Sequence, residues 1–244
     1  MLLLCKQIQS GETSYFLLLS CAMTLDTAHN MPAPKNRIRE LTDPFSAIKT
    51  QTATSNPLIL RGPVPLSHLL IRQFVGSGDH VVDATCGNGH DTLLLAELIG
   101  SNGRLWAFDI QQKAVEATAA RLAAAGYAAA VEIIRGGHET MAEHCSGPVK
   151  AAVFNLGYLP GGDHALVTLP ESTLAALEQA FTILQPGGIV VMTLYPGHEG
   201  GARERTLLEA RLAQLPATGF HVWRMGQINV PATAPYVVLV QKAV

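Results

Sequence analysis

The residues with the clearest chemical potential follow an apolar, strand-like run at 151–154. The Asn155 side-chain oxygen and the Leu156 carbonyl can accept the hydrogens of an amine, which aims the nitrogen lone pair at an electrophile. The Tyr158 ring offers a face on which a planar base can stack. The sequence therefore predicts a site that orients a nitrogen nucleophile, with a plain strand-ending turn as the alternative.

A glycine-containing loop lies earlier in the chain, between a strand pattern at 80–84 and a helix pattern. Gly87, Asn88 and Gly89 form this loop, and glycines let backbone amides approach an anionic ligand at the start of the helix. A pyrophosphate site would need a third glycine where the chain has Thr92. The absence of that glycine favours S-adenosylmethionine, whose carboxylate needs fewer donors, over a dinucleotide.

Polar residues also follow the second and third strand patterns. Asp109 can accept two hydrogen bonds from a ribose diol, or it can cap the following helix. Gln111 can add a contact or be an exposed first-turn residue, and His138 can meet the adenine edge or cap its own helix. Together with the glycine loop, these positions predict an adenosyl-binding site.

The elements that must position these residues alternate between strands and helices. Strand patterns lie near 80–84, 104–109, 131–134, 150–155 and 188–194, and helix patterns lie near 65–75, 90–99, 112–125, 138–145, 171–184 and 202–214. This alternation predicts an α/β fold with a mostly parallel sheet and helices on both faces. The last two strand patterns, 221–230 and 236–240, follow each other without a helix. We therefore expect a C-terminal antiparallel β-hairpin and the seven-stranded, Rossmann-like sheet of a class I methyltransferase.

The composition rules out a disordered chain. Of the 244 residues, 48% are hydrophobic and 15% are charged, against roughly 25% charged in an average domain. The net charge of -2 argues against a protein that coats nucleic acid. An acidic stretch at 73–199 is flanked by basic stretches at 35–72 and 200–244, which is enough for a local phosphate contact, with a solvated surface of uneven charge as the alternative. We expect residues 1–57 to form an N-terminal extension or linker, with a partly disordered tail or a later translation start as alternatives. We expect residues 58–244 to form the single folded domain, a methyltransferase domain that depends on S-adenosylmethionine.

The cysteines and the apolar segments indicate where the protein resides. The four cysteines lack a CxxC pair and the density of a disulfide scaffold, which favours a reducing cytoplasm. An apolar run at 15–25 is shorter than the roughly 20 residues that cross a bilayer, so we expect no membrane span.

Cys86, His90, His138 and Cys145 lack zinc-ligand spacing, so we expect no metal.

Taken together, the motifs resemble the MnmM/YtqB-type bacterial methyltransferases, a family long labelled as rRNA methylases. The matching segments are 83–85, 87–92, 108–111, 137–139, 154–163, 186–188 and 195–201. The run that begins at Asn155 also resembles the Asn-Pro-Pro-Tyr signature of amino-directed methyltransferases. The resemblance implies methylation of the 5-aminomethyl nitrogen on the wobble (2-thio)uridine of tRNA, with S-adenosylmethionine as the cofactor.

The resemblance also implies roles for individual residues. The expected cofactor site comprises Asp83, Gly87, Asn88, Gly89, His90, Asp109, Gln111 and His138. The expected substrate site comprises Tyr158, Gly162, Asp163, His164 and His198, and the expected catalytic residues are Asn155, Leu156, Tyr158 and His198. His164 departs from the family pattern, which has a lysine at this position.

The amine nucleophile must lose a proton before it can attack, because an alkylamine is mostly protonated near neutral pH. Asp163, His164 and His198 are the candidate bases. His198 ranks first, since the proline and glycine before it indicate a backbone shaped around a ligand.

Other functions remain open at this point. The same chemistry could act on a base in rRNA or on a small amine, and a non-catalytic RNA-binding protein with a vestigial cofactor site is a further alternative. Thr92 and the terminal hairpin disfavour an NAD-dependent oxidoreductase.

We expect the anticodon region of tRNA to be the partner, and we expect no association with a membrane. An Ala-rich segment at 114–130 could pack on the sheet or in a homodimer.

Overall fold

The computed structural model describes residues 59–157, 169–197 and 200–244. The expected extension at 1–57 lies outside the described residues, so its boundary with the domain stays a prediction. The described helices are α1 (Pro63–Phe74), α2 (His90–Ile99), α3 (Gln112–Ala125), α4 (Met141–His144), α5 (Pro170–Ile183) and α6 (Gly201–Leu212). The described strands are β1 (His80–Asp83), β2 (Arg104–Asp109), β3 (Val131–Arg135), β4 (Val149–Asn155), β5 (Leu184–Leu194), β6 (Phe220–Met225) and β7 (Tyr236–Lys242).

The seven strands form one sheet in the order β3-β2-β1-β4-β5-β7-β6. Strands β1 to β5 pair in parallel, and β7 pairs antiparallel with both β5 and β6. The predicted α/β fold with a C-terminal antiparallel hairpin is therefore confirmed. The chain order reverses between β1 and β4, and ligands of open α/β sheets bind at the carboxyl ends of the strands at such a point.

Two apolar clusters cover the two faces of the sheet. Val81 of β1 belongs to one cluster with Ile71 of α1 and Leu95 of α2. The next residue, Val82, belongs to the other cluster with Leu177 of α5. Because successive strand residues point to opposite faces, a strand buried on both sides must be apolar at every position.

Within the described part of the chain, the helices are too short or too polar to cross a membrane.

The structure differs from the sequence expectation at three element boundaries. The strand predicted at 221–230 ends at Met225, because Met225 pairs with Val237 and β7 begins only one residue before Val237. The fifth strand begins at Leu184, where the helix pattern was expected to end. The helix expected at 138–145 is a 3₁₀ turn over His138–Thr140 followed by the short α4.

A lysine near the chain end ties the last strand to the end of α5. Lys242 Nζ donates hydrogen bonds to the carbonyls of Phe181 and Leu184, at 3.1 and 2.7 Å. The Phe181 carbonyl belongs to the last turn of α5, where acceptors lack intrahelical partners and where a cation is favoured by the helix dipole, and Leu184 directly follows that turn.

Replacing Lys242 with methionine keeps much of the side-chain volume but removes both hydrogen bonds. We expect the free energy of unfolding to fall by about 1–3 kcal/mol, as is typical of hydrogen bonds to charged groups. Chemical denaturation measures this change. Lys150→Met is the matched control, because Lys150 Nζ donates to the Gly187 carbonyl at a longer 3.3 Å. A loss for Lys242→Met no larger than the control loss would contradict the assignment.

Candidate active site

The glycine loop after β1 is held against α3. Gly87 and Gly89 have φ angles of 50° and 77°, a backbone conformation that glycine adopts without strain. A Cβ atom on Gly89 would lie 2.9 Å from the Thr118 Cα atom. Thr118 Oγ1 donates a hydrogen bond to the Gly87 carbonyl at 3.0 Å, and Arg121 Nε donates to the Asn88 carbonyl at 2.7 Å. The loop is therefore fixed by α3 before any ligand binds.

His90 is the exposed first residue of α2. Its ring Nε2 lies 3.3 Å from Arg121 Nη2, which donates to it. The sequence predicted that His90 faces the cofactor. The structure positions it beside the loop and next to Arg121, and its contact with a cofactor stays a prediction.

Asp109 at the end of β2 links this strand to the glycine loop. One carboxylate oxygen accepts the Gly87 N–H at 3.1 Å, and the other accepts the Gln111 N–H at 2.9 Å. Each carboxylate oxygen can accept a second hydrogen bond, so Asp109 keeps the capacity to receive a ribose diol. Gln111 is half-buried and immediately precedes α3.

His138 is buried beneath the end of β1. Its Nδ1 donates a hydrogen bond to the Ala84 carbonyl at 3.0 Å, and its ring packs edge-on against Phe154. Burial lowers the pKa of His138, so the ring is neutral and its Nε2 atom presents a lone pair. The alternative that His138 caps its own helix is not the arrangement seen, since the ring bonds instead to Ala84, which directly follows β1.

Asp83 is fully buried under the glycine loop. Its carboxylate accepts the Thr92 hydroxyl at 2.6 Å and the Thr85 N–H at 3.1 Å. Burial, with a further contribution from the charge of Asp91, raises the pKa of Asp83 to about 7, and the hydrogen bonds from Thr92 and Thr85 oppose this rise. Thr92 therefore fastens the helix to β1 at the position where a dinucleotide-binding loop has a glycine.

Asn155 at the end of β4 is fixed by hydrogen bonds from both its backbone and its side chain. Its backbone N–H donates to Thr85 Oγ1 at 2.7 Å, and its side-chain Nδ2 donates to Asp91 Oδ2 at 3.1 Å. A carboxylate oxygen only accepts hydrogen bonds, so the amide nitrogen must face Asp91. The Asn155 side-chain oxygen consequently points away from Asp91.

Leu156 follows Asn155 and anchors the backbone at this point. Its side chain is buried in the core, and its N–H donates to the Thr193 carbonyl of β5 at 2.9 Å. These two contacts fix the peptide whose carbonyl was predicted to accept a substrate hydrogen.

Several predicted site residues lie outside the described residues. They are Tyr158, Gly162, Asp163, His164 and His198. Their assignment to substrate binding or proton removal stays a prediction.

The structure also brings residues to the site that the sequence did not single out. These residues are His68, Thr85, Asp91, Thr118 and Arg121. Of these five residues, only Asp91 had a recognisable sequence feature, because it is an acidic residue in the first turn of a helix. That feature is equally typical of a residue that only stabilises the helix dipole. The other contacts join residues 31 to 70 positions apart, or 23 for His68 and Asp91, so no local pattern could report them.

The two free cysteines in the described part of the chain are poor nucleophiles. Cys86 is buried in the glycine loop, and burial raises the pKa of its thiol. Burial also raises the pKa of Cys145 to about 12. The burial of Cys86 agrees with its interpretation as a small apolar packing residue. No group of three or more metal-binding side chains is found in residues 59–157, 169–197 and 200–244.

The raised pKa of Asp83 predicts a pH-dependent stability. From about pH 4 to pH 7 the folded protein keeps a proton that the unfolded chain has released, so the free energy of unfolding falls as pH rises. The rise in pKa from 3.8 to about 7 corresponds to a loss on the order of 4 kcal/mol. The Asp83→Asn side chain cannot ionise. Its free energy of unfolding, relative to that of the wild type, should therefore increase as the pH rises across this range.

Urea denaturation at several pH values between 4 and 8 measures this difference. Asp79→Asn is the control, because Asp79 accepts a single hydrogen bond from Gly76 in a loop at the opposite end of β1. Parallel stability curves for Asp83→Asn and the wild type would refute the prediction.

Comparison with known proteins connects this site to a family. The family model described as "Putative rRNA methylase" matches residues 105–241. A protein of Arabidopsis thaliana named tRNA (mnm(5)s(2)U34)-methyltransferase, chloroplastic, is 36% identical over 187 residues, which cover 72% of this chain and 68% of the relative.

Solved structures show the same relationship. The crystal structure of a "putative rRNA-methylase" from Clostridium thermocellum has a TM-score of 0.74 and 42% identity, covering 76% of this chain and 100% of that chain. SMU.1697c of Streptococcus mutans, a "putative methyltransferase" solved in complex with SAH, has a TM-score of 0.68 and 30% identity, covering 75% of this chain and 99% of that chain. The resemblance drawn from the motifs is thereby confirmed, and the chain belongs to the rRNA methylase family of proteins with the class I methyltransferase fold.

Proposed function

We propose that this protein is an S-adenosylmethionine-dependent N-methyltransferase that methylates the 5-aminomethyl nitrogen of the wobble (2-thio)uridine in tRNA. The observation that carries the proposal is the fixed amide of Asn155, whose oxygen faces away from Asp91 at the carboxyl edge of the sheet. The name of the Arabidopsis relative supports this substrate, and the SAH in the Streptococcus structure supports this cofactor.

The residues at the carboxyl edge of the sheet fit S-adenosylmethionine. Asp109 would accept the ribose hydroxyls, and the neutral His138 would accept a hydrogen from the adenine amino group through Nε2. The backbone amides of the glycine loop would bind the methionine carboxylate. The negative charge of the site favours a cationic ligand. When bound, S-adenosylmethionine supplies an electrophilic methyl group on a sulfonium.

The protein contributes to methyl transfer mainly by positioning. The Asn155 side-chain oxygen and the Leu156 carbonyl would each accept one hydrogen of the substrate amine, which places the nitrogen lone pair in line with the methyl group. The ammonium form of the amine first loses a proton, which frees the lone pair. The nitrogen then forms the bond to the methyl group, and the sulfur keeps the electron pair of the bond that breaks. Asp163, His164 and His198 are the proposed acceptors of that proton, with His198 ranked first.

We also propose which part of the RNA the protein contacts and where the reaction takes place. We place the RNA contact at the anticodon region, because the target base occupies the wobble position, and we place the reaction in the cytoplasm. A homodimer is retained as an alternative to a monomer. An rRNA base or a small amine is the alternative substrate.

Asn155→Ala should abolish the aiming of the amine without removing the cofactor site. With tRNA that carries 5-aminomethyl-2-thiouridine, we expect the wild type to add one methyl to that nucleoside, measured by digestion and mass spectrometry. For Asn155→Ala we expect a rate loss of about 100-fold or more, since small misplacements of reacting groups have effects of this size.

The control for Asn155→Ala is Asn102→Ala, which changes an exposed residue before β2. No methyl gain by the wild type, with cofactor binding verified in the same sample, would refute the proposed substrate and direct the search to rRNA and small amines.

Asp109→Asn tests the cofactor site separately. The amide retains one acceptor oxygen but loses the charge and the second acceptor, so we expect the dissociation constant for S-adenosylmethionine to rise about 10–100-fold, the equivalent of one or two charge-assisted hydrogen bonds. Calorimetric titration measures it, with Asp79→Asn as the matched control. An unchanged dissociation constant would exclude Asp109 from cofactor binding.

A further inference from the structure

We propose that His68 and Asp91 are positioning residues that hold the Asn155 amide in the one orientation that can receive an amine. This inference rests on the proposed N-methyltransferase function and assigns roles to two residues outside the predicted site.

The three side chains form a continuous hydrogen-bonded chain across three elements. His68 of α1 donates from Nε2 to Asp91 Oδ1 at 2.6 Å. Asp91, in the first turn of α2, accepts the Asn155 Nδ2 hydrogen on its other oxygen at 3.1 Å. The Asp91 side chain is 10% exposed and the His68 side chain is 29% exposed, so solvent competes little for the carboxylate.

The orientation of a primary amide decides which kind of group it can receive. Rotation by half a turn exchanges the acceptor oxygen for a donor NH₂ group with almost no change in shape. An amine that must be held through its N–H bonds needs the oxygen, and an NH₂ group in that place would repel it. Since Asp91 only accepts hydrogen bonds, it selects the orientation that presents the Asn155 oxygen.

His68 completes the selection by fixing the carboxylate itself. A hydrogen bond from His68 occupies Oδ1 and leaves Oδ2 directed at Asn155. α1 contacts β4 and α2, so the position of His68 depends on the same packing that positions the other two residues.

Neighbouring acids do not provide the same contact. Asp83 is engaged by Thr92 and Thr85, and Asp109 is engaged by the amides of Gly87 and Gln111. Of the described residues, Asp91 is the acceptor for the Asn155 side-chain nitrogen. Asp91 is therefore the residue through which the orientation can be tested.

The first test is the kinetics of single variants with tRNA that carries 5-aminomethyl-2-thiouridine. In Asp91→Asn the new amide can present either an oxygen or a nitrogen to Asn155, so a single orientation is no longer imposed. We expect kcat to fall about 10–100-fold, as for a modest misplacement of a reacting group. The KM for tRNA and the dissociation constant for S-adenosylmethionine should stay within about twofold, because the residue acts through Asn155.

His68 is tested by removal and by rescue. His68→Phe keeps a ring but loses the donor, and we expect kcat to fall about tenfold, the equivalent of one hydrogen bond to a charged group. His68→Gln offers a new N–H donor and should recover most of that loss. A structural role for the ring alone would give the opposite pattern, with Phe tolerated and Gln not.

The decisive measurement is the double variant Asp91→Asn/Asn155→Ala. If Asp91 acts only through Asn155, the double variant loses no more rate than Asn155→Ala alone. A loss equal to the product of the two single losses would overturn the inference, as would an effect of Asp91→Asn confined to KM. Asp79→Asn and His221→Phe, an exposed histidine on β6, are the matched controls and should behave as the wild type.

The activity of the wild type distinguishes a failure of the proposed function from a failure of the positioning role alone. If the wild type adds no methyl to the 5-aminomethyl nucleoside, the proposed function fails and this inference fails with it. If the wild type is active and the two losses multiply, the proposed function stands and only the positioning role is excluded.

Discussion

Three carboxylates meet at the carboxyl edge of the sheet, and the need to satisfy them shapes the whole site. Asp83 is close enough to both Asp91 and Asp109 for their charges to act on it. A buried carboxylate is costly unless it receives hydrogen bonds. Asp83 receives a hydroxyl and a backbone N–H, Asp109 receives two backbone N–H groups, and Asp91 receives His68 and Asn155. The path of the glycine loop and the orientation of Asn155 both follow from these bonds.

The same acidic cluster determines which ligands the edge of the sheet favours. The negative charge of these residues would repel a pyrophosphate, whereas a sulfonium and a substrate amine each bring positive charge. Asp83 illustrates how the fold tolerates this charge, because burial raises its pKa to about 7 and part of the negative charge is neutralised by a proton. The neutral His138 adds a polar acceptor at the same edge without adding positive charge. The geometry and the electrostatics therefore favour the same class of ligand.

Much of the fold could be predicted from the sequence, because it depends on local periodicity. Alternating strand and helix patterns predicted the parallel sheet, and two strand patterns without a helix between them predicted the hairpin. Asn155 and Asp109 could be selected as candidates because a polar residue at the end of an apolar strand is visible locally. Arg121 and Thr118 were missed, since an Ala-rich helix gives no sign of which face lies on the loop. The pairing of His68 likewise depends on how α1 packs, which periodicity does not specify.

A crystal structure of the protein bound to S-adenosylhomocysteine tests the central claim most directly, because it reports cofactor position and amide orientation in one experiment. We predict that the ribose hydroxyls bind the Asp109 carboxylate. We also predict that the cofactor sulfur lies on the side of Asn155 that carries the side-chain oxygen, while the amide nitrogen remains hydrogen-bonded to Asp91. A ribose bound away from Asp109, or an Asn155 amide turned so that its nitrogen faces the sulfur, would contradict the central claim.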